Sequence, residues 1–213
     1  MKIEIWSDVM CPFCYIGKRK FEIALEKFPE KEKVEVTWKS FQLDPSVKTD
    51  PAKNVHQFLA ERKGWTTEHA REMNEHVTRI AAEVGLVYNF DKAVVTNSFD
   101  AHRFSHFAKK YNLQNEAEER LFRAYFTEGK NTGDHETLIQ LGIDIGLDEA
   151  EVKSMLESTD FADAVNNDIS EARQIGVNGV PFFLFEEKYA ISGAQDSSLF
   201  LQALKCPREF QTY

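Results

Sequence analysis

Three cysteines in 213 residues are too few to build a disulfide scaffold. A chain of this length buries enough apolar surface to stand without covalent staples. Basic charge is also scarce: 26 Lys and Arg stand against 35 Asp and Glu, a net charge of −9. Such a chain repels nucleic-acid phosphates and anionic lipid, so neither is expected as a partner. Basic clusters exist, such as Lys18-Arg19-Lys20, but Glu22 and Glu26 dilute that one and it reads as a solvated helix face. No apolar run approaches the ~20 residues of a membrane span, and none resembles a signal-peptide core after Lys2. The expected location is therefore the cytoplasm, where thiols stay reduced and a close cysteine pair is more often catalytic or metal-binding than structural. A glycine-rich dinucleotide fingerprint is missing, as is any low-complexity linker or internal repeat.

Two of the three cysteines lie in "SDVMCPFCYIGKRKFE", at Cys11 and Cys14. "KIEIWS" before them alternates Ile3 and Ile5 with Lys2 and Glu4, the period of a strand. Pro12 suits the first position of a helix, and Phe13, Ile16, Phe21, Ala24, Leu25 and Phe28 supply its apolar positions until Pro29. "KVEVTWKSFQL", Lys33 to Leu43, alternates again and closes a βαβ unit. The segment from about Pro51 to Ser158 reads as helical throughout, with no strand. Gly64, Gly85, Gly129 and Gly146 sit where helices end, and Asp148 opens a helix as its N-cap. The chain finishes as a helix to Gly176, two short strands at Phe182–Phe185 and Lys188–Ile191 turned by Glu186-Glu187, and a last helix.

The histidines His56, His69, His76, His102, His106 and His135 form no motif that would complete a zinc site around the pair, and a second CxxC is missing. No metal is expected. His102 and His106 lie four apart without a third ligand; with Arg103 they read as a polar rim of the helical segment. Cys206 reads as a bystander thiol. Two unrelated buried thiols at Cys11 and Cys14 remain a reading, but it leaves the strand-then-helix context unused. That context places Cys11 against the unpaired N–H groups and positive pole of a helix start, which favour thiolate. Cys14, three residues on, returns to the same face. Asp8 reads either as a carboxylate acting on the thiols or, more plainly, as a turn cap.

"CPFC" after a strand, the following "YIGKRKFE", the "AHRF" helix and the late "GVNGVPFFLF…YAISGAQ" together resemble the thioredoxin superfamily, and within it the DsbA family of FrnE-type dithiol oxidoreductases. The resemblance spans essentially the whole chain. It implies an α/β thioredoxin fold over 1–50 and 159–213 with a large all-helical insertion at 51–158. It implies Cys11 as nucleophile, Cys14 as resolving thiol and Pro181 as a cis proline facing them. Val180, Phe13 and Pro12 are then the substrate-binding positions. The activity implied is thiol–disulfide exchange with protein or small-molecule thiols, without a bound cofactor, glutathione entering only as a co-substrate beside Pro181. Phe13 stands where better-known DsbA proteins carry histidine, so the pair is expected to be less oxidising. Two other readings stay open. The kappa-class glutathione transferases and 2-hydroxychromene-2-carboxylate isomerases share the architecture but place serine at the position of Cys11. A chaperone-like binding module would have kept the motif without using it.

Overall fold

The structure, a computed structural model, describes residues 1–205; Cys206 lies outside them. Those residues divide into two compact units, one of Met1–Leu43 with the segment from Asp163 onward, the other of Asp44–Ala162.

The first unit is built on a four-stranded sheet. Strand β1 (Lys2–Ser7) leads into helix α1 (Pro12–Glu26) and then strand β2 (Glu35–Ser40), which pairs parallel to β1 with Ile5 opposite Trp38. After the second unit the chain returns with α8 (Ala162–Gln174), β5 (Phe182–Phe185), β6 (Tyr189–Ser192) and α9 (Ser197–Lys205). The sheet order is β2-β1-β5-β6, with β5 antiparallel to both β1 and β6. The period-2 pattern decides what each face buries. Ile3, Ile5, Phe183 and Phe185 point to one side, where they meet Phe21 and Ala24 of α1 and Phe200, Ala203 and Leu204 of α9. Trp6, Phe182 and Leu184 point to the other and pack with Ala172 of α8 and Val177. β1 is a central strand, buried from Ile5 through Ser7. Lys39 ties the polar edge together, reaching Glu171 Oε2 at 2.8 Å and Asp168 Oδ1 and Glu4 Oε1 at 3.3 Å. The β5–β6 turn holds Glu186 and Glu187 at φ 53° and 56°, with Lys188 N–H donating to the Phe185 carbonyl at 3.0 Å. Strand β6 begins one residue later than the alternation suggests, because Lys188 belongs to the turn.

The second unit holds α2 (Val55–Lys63), α3 (Thr67–Glu83), α4 (Phe99–Lys109), α5 (Gln114–Phe122), α6 (His135–Asp144) and α7 (Glu149–Glu157). The expectation of an unbroken helical segment is wrong in one respect. Strands β3 (Asp50–Asn54) and β4 (Val94–Val95) pair antiparallel as a short ribbon. Their pairing is long in sequence and brief in space, so neither segment carries enough alternation to announce itself. Asp148 caps α7 and Gly64 closes α2 in the left-handed region at φ 68°, as the sequence suggests; Asn54, Thr66 and Asp134 likewise each accept a bond from the first turn of a helix.

Two readings of charged side chains need correcting. Arg103 and His102 are buried and form no polar rim. Arg103 donates to the Met155, Ser158 and Asp160 carbonyls at 2.6–2.8 Å and pairs with Asp100 at 2.8 Å. It therefore satisfies carbonyls at and just beyond the C-terminus of α7, where the helix's own N–H groups have run out. Lys18, read as part of a solvated face, is 1% exposed and paired with Glu22. The i,i+4 carboxylate allows its ammonium to sit at a packed surface while its stem fills space.

Replacing Arg103 by Ala strands several carbonyls and the Asp100 carboxylate at once. Urea denaturation is expected to show a loss of about 3–5 kcal/mol, and Arg103→Lys should recover only part of it, because an ammonium donates from a single nitrogen, whereas the guanidinium meets four acceptors from three. A loss within about 0.5 kcal/mol, ordinary for a surface substitution, would contradict this account.

Candidate active site

The carboxyl end of β1 is the first fixed point. Ser7 is its last residue, and its carbonyl accepts from Phe41 N–H at 2.9 Å. The chain then turns. Asp8 Oδ1 accepts from Met10 N–H at 3.3 Å and Oδ2 from Leu43 N–H at 2.7 Å. Asp8 is buried, so it serves as a turn cap that also ties the loop after β2 to the loop before the cysteines. The Asp8 carbonyl accepts from Cys11 N–H at 2.9 Å, and Cys11 becomes the N-cap of α1 at φ −88°, ψ 111°, with Pro12 at the first helical position. Cys11 makes no side-chain capping bond. Its sulfur is left to face elsewhere.

It faces Val180. Cys11 Sγ donates to the Val180 carbonyl at 3.4 Å. The Val180–Pro181 peptide is cis, the geometry the resemblance implies. Pro181 is buried against α1 at a place where the helix carries no side chain: a Cβ built on Gly17 would stand 2.8 Å from Pro181 Cγ and 3.4 Å from Phe183 Cζ. Gly17 thus lets the Val180–Pro181 segment come close enough to touch Cys11. Phe13, between the cysteines, is 40% exposed, and Leu43 beyond Asp8 is exposed as well. Pro12 and Val180 are partly exposed.

The two thiols are unequal, and both are free. Cys11 is 5% exposed and Cys14 fully buried. Burial pushes the Cys14 thiol well above its ordinary value of 9.0, and the neighbouring Cys11 pushes it in the same direction; the Asp8 backbone amide and the Ser7 hydroxyl act the other way. A sulfur that resists ionisation and is sealed from solvent cannot meet an outside disulfide first. Among the described residues no group of three His, Cys, Asp or Glu side chains could hold a metal ion.

The structure brings Cys11, Cys14, Val180 and Pro181 together, with Phe13 and Pro12 on the same helix turn. Ser7, Gly17 and Leu43 escaped the reading of the sequence. Ser7 and Gly17 carry no signature beyond being small residues four before Cys11 and three after Cys14. Leu43 is joined to the site only through Asp8.

A sheet-end cysteine thus caps a helix, a second cysteine lies one turn in, and the Val180–Pro181 segment packs on that helix. The family model of the DSBA-like thioredoxin domain matches residues 2–205. The uncharacterised protein YwbO of Bacillus subtilis is 32% identical over 207 residues, covering 95% of this chain and 94% of its own. A probable DsbA oxidoreductase from Streptomyces coelicolor is 37% identical and superimposes with a TM-score of 0.92, over 100% of this chain and 92% of that one. A 2-hydroxychromene-2-carboxylate isomerase, at 15% identity, shares the fold with a TM-score of 0.70 over 98% and 96% of the two chains. The chain belongs to the DsbA-like thioredoxin-domain family, whose members are disulfide oxidoreductases.

The burial difference and the glycine contact can each be tested. Iodoacetamide applied to the reduced, folded protein should label Cys11 before Cys14, read by peptide mass mapping; equal or reversed labelling would refute the burial argument. Gly17→Ala gains about 1 kcal/mol of helix propensity but overpacks the Pro181 contact by about 1–3 kcal/mol. The expected net result is a less stable protein with slower disulfide exchange. If the Gly17→Ala variant is as stable and as fast as the parent, the close approach is not needed.

Proposed function

We propose that this protein is a thiol–disulfide oxidoreductase of the cytoplasm that works through its Cys11-Pro12-Phe13-Cys14 dithiol by mixed-disulfide exchange. The observation that carries the reading is the asymmetry of the pair: Cys11 caps the helix start and keeps 5% exposure, while Cys14 lies within the first turn with none. Cys11 Sγ attacks a substrate disulfide. A bond forms between Cys11 and one substrate sulfur, and the other leaves as thiolate. Cys14, deprotonated, then attacks Cys11 Sγ, releases the second substrate sulfur and closes the Cys11–Cys14 disulfide. Two electrons pass from the dithiol to the substrate; the reverse sequence oxidises a substrate dithiol.

Val180 supports a substrate mode. Its carbonyl stands 3.4 Å from Cys11 Sγ, so an extended substrate segment pairing with this backbone would bring its own sulfur to Cys11. Phe13 and Leu43 offer exposed apolar surface on the same unit, which suits protein segments rather than highly charged small molecules. The partners proposed are protein or small-molecule thiols and disulfides, glutathione among the small ones, with no bound cofactor. Among the described residues no helix is long and apolar enough to cross a membrane. The isomerase-type reading has the shared fold behind it, but this chain carries cysteine at position 11 and a second at position 14. A binding module that had retained the motif would be indifferent to both sulfurs.

The decisive measurement is turbidimetric reduction of insulin by dithiothreitol with and without the protein. The parent should accelerate it. Cys11→Ser should abolish the acceleration, and Cys14→Ser should accumulate mixed disulfides on non-reducing gels. Full activity in both variants would leave the binding module as the reading; turnover of an aryl substrate with glutathione, in the absence of disulfide exchange, would favour the transferase or isomerase.

A further inference from the structure

Dithiol exchange puts a charge on the buried sulfur. When the oxidised form is reduced, a substrate thiolate attacks Cys11 Sγ. The new bond joins the substrate sulfur to Cys11, the Cys11–Cys14 bond breaks, and the electron pair departs on Cys14. Resolution in the opposite sense begins from the same anion. Cys14 must therefore carry a negative charge in a place where it has no exposure to water at all. Isolated buried charge is costly, and proteins compensate it with hydrogen-bond donors. The Cys14 N–H cannot serve, because it already donates to the Cys11 carbonyl at 3.0 Å.

The end of β1 offers two donors. The groups that favour charge on the Cys14 sulfur are the Asp8 backbone amide and the Ser7 hydroxyl; the neighbouring Cys11 opposes that charge. Ser7 is 2% exposed, and its Oγ is buried without a hydrogen-bond partner. Its backbone is engaged, paired with Ser40 in the sheet and accepting from Phe41 N–H. A buried hydroxyl with no partner costs stability and calls for a reason. A hydroxyl hydrogen rotates freely, so it can turn to a sulfur that gains charge and away from one that loses it.

We propose that Ser7 Oγ–H is the hydrogen-bond donor that receives the Cys14 thiolate when the Cys11–Cys14 disulfide opens, and that it lies idle in the reduced, protonated protein. This rests on the oxidoreductase reading of the dithiol and adds to it the group that makes the buried sulfur a competent leaving group and nucleophile. The proton balance is simple: no proton moves in the exchange step, the hydroxyl keeps its hydrogen while donating, and Cys14 takes a proton from solvent only after the substrate has left.

The test separates this role from a packing role by opposite signs. In Ser7→Ala, stopped-flow reduction of the oxidised protein by dithiothreitol, followed by tryptophan fluorescence, should slow by about three- to tenfold, since a hydrogen bond to a charged leaving sulfur is lost. The thermal midpoint of the reduced protein should stay level or rise, because an unpartnered hydroxyl leaves the interior. Ser7→Thr keeps the hydroxyl and should recover most of the rate. A second measurement reads the contact without turnover: in the Cys11→Ala background, thiolate absorbance near ~240 nm should show the Cys14 titration moving upward on adding Ser7→Ala, the sign expected when a donor to the charged form is removed. An unmoved titration, an unchanged reduction rate, or a midpoint that falls along with the rate and is not restored by Thr overturns the inference. If the parent neither forms nor exchanges the Cys11–Cys14 disulfide, the oxidoreductase reading falls and takes this role with it; if the parent exchanges normally and the titration does not move, only the role of Ser7 falls.

Discussion

A proline ring resting on a helix at the one residue without a side chain governs this site. Gly17 is buried in the middle of α1, where glycine costs helix stability of about 1 kcal/mol relative to alanine. The gain is spatial. Without a Cβ at 17, Pro181 reaches the helix, and the preceding carbonyl reaches Cys11. The dithiol depends on that approach, because α1 and the segment before β5 come from opposite ends of the chain and are brought together by the packing of α1 on the sheet. β1 supplies the other half. It lies between β2 and β5, so its end is held from both sides, and the turn that leaves it delivers Cys11 to the helix start at a fixed height.

The inequality of the two sulfurs then follows from helix geometry rather than from any charged residue. An N-cap residue projects from the end of its helix; a residue three further on lies within the first turn, against whatever the helix packs upon. For Cys14 those surroundings are the end of β1. Phe13, between them, points outward and brings no charge to the pair. The sulfurs are thus distinguished by access and burial, and what electrostatic help Cys14 receives comes from neutral dipoles, a backbone amide and a hydroxyl.

Much of this was legible in the residues. The alternation in "KIEIWS", the position of Pro12 and the spacing of the cysteines give β1, α1 and a dithiol at their junction, because each rests on local rules of period and capping. The cis Val180–Pro181 bond was legible only through the resemblance, since nothing within "GVPFF" distinguishes it from a proline entering a strand. The β3–β4 ribbon was not legible, being two brief segments far apart in the chain. Nor was the burial of Lys18 and Arg103. Charge in a sequence reads as surface, and it is the partner that reverses this: Glu22 one turn on for Lys18, and for Arg103 three carbonyls at and beyond the end of α7, more than fifty residues away. Gly17 and Ser7 failed to stand out for a related reason. Their value lies in what they leave open, a gap in one case and an unspent hydrogen bond in the other, and an opening becomes visible only when its surroundings are in place.

That last point bears on how the site balances stability against chemistry. The interior of the first unit is otherwise well satisfied: Trp6 Nε1–H donates to the Asp168 carbonyl, Asp168 accepts from Ser40 N–H, and Lys39 gathers three carboxylates at the sheet edge. Against that background a glycine within a helix and a buried hydroxyl without a partner both fall close to the cysteines. Folds that give up stability do so most often where geometry must serve a reaction, and here each concession has a distinct task. Gly17 admits the segment that faces Cys11, and Ser7 is the group proposed above to meet the charge that Cys14 would acquire. In the exchange reaction proposed for this dithiol, the path would pass through Cys11, beside the Val180 carbonyl, and end on Cys14.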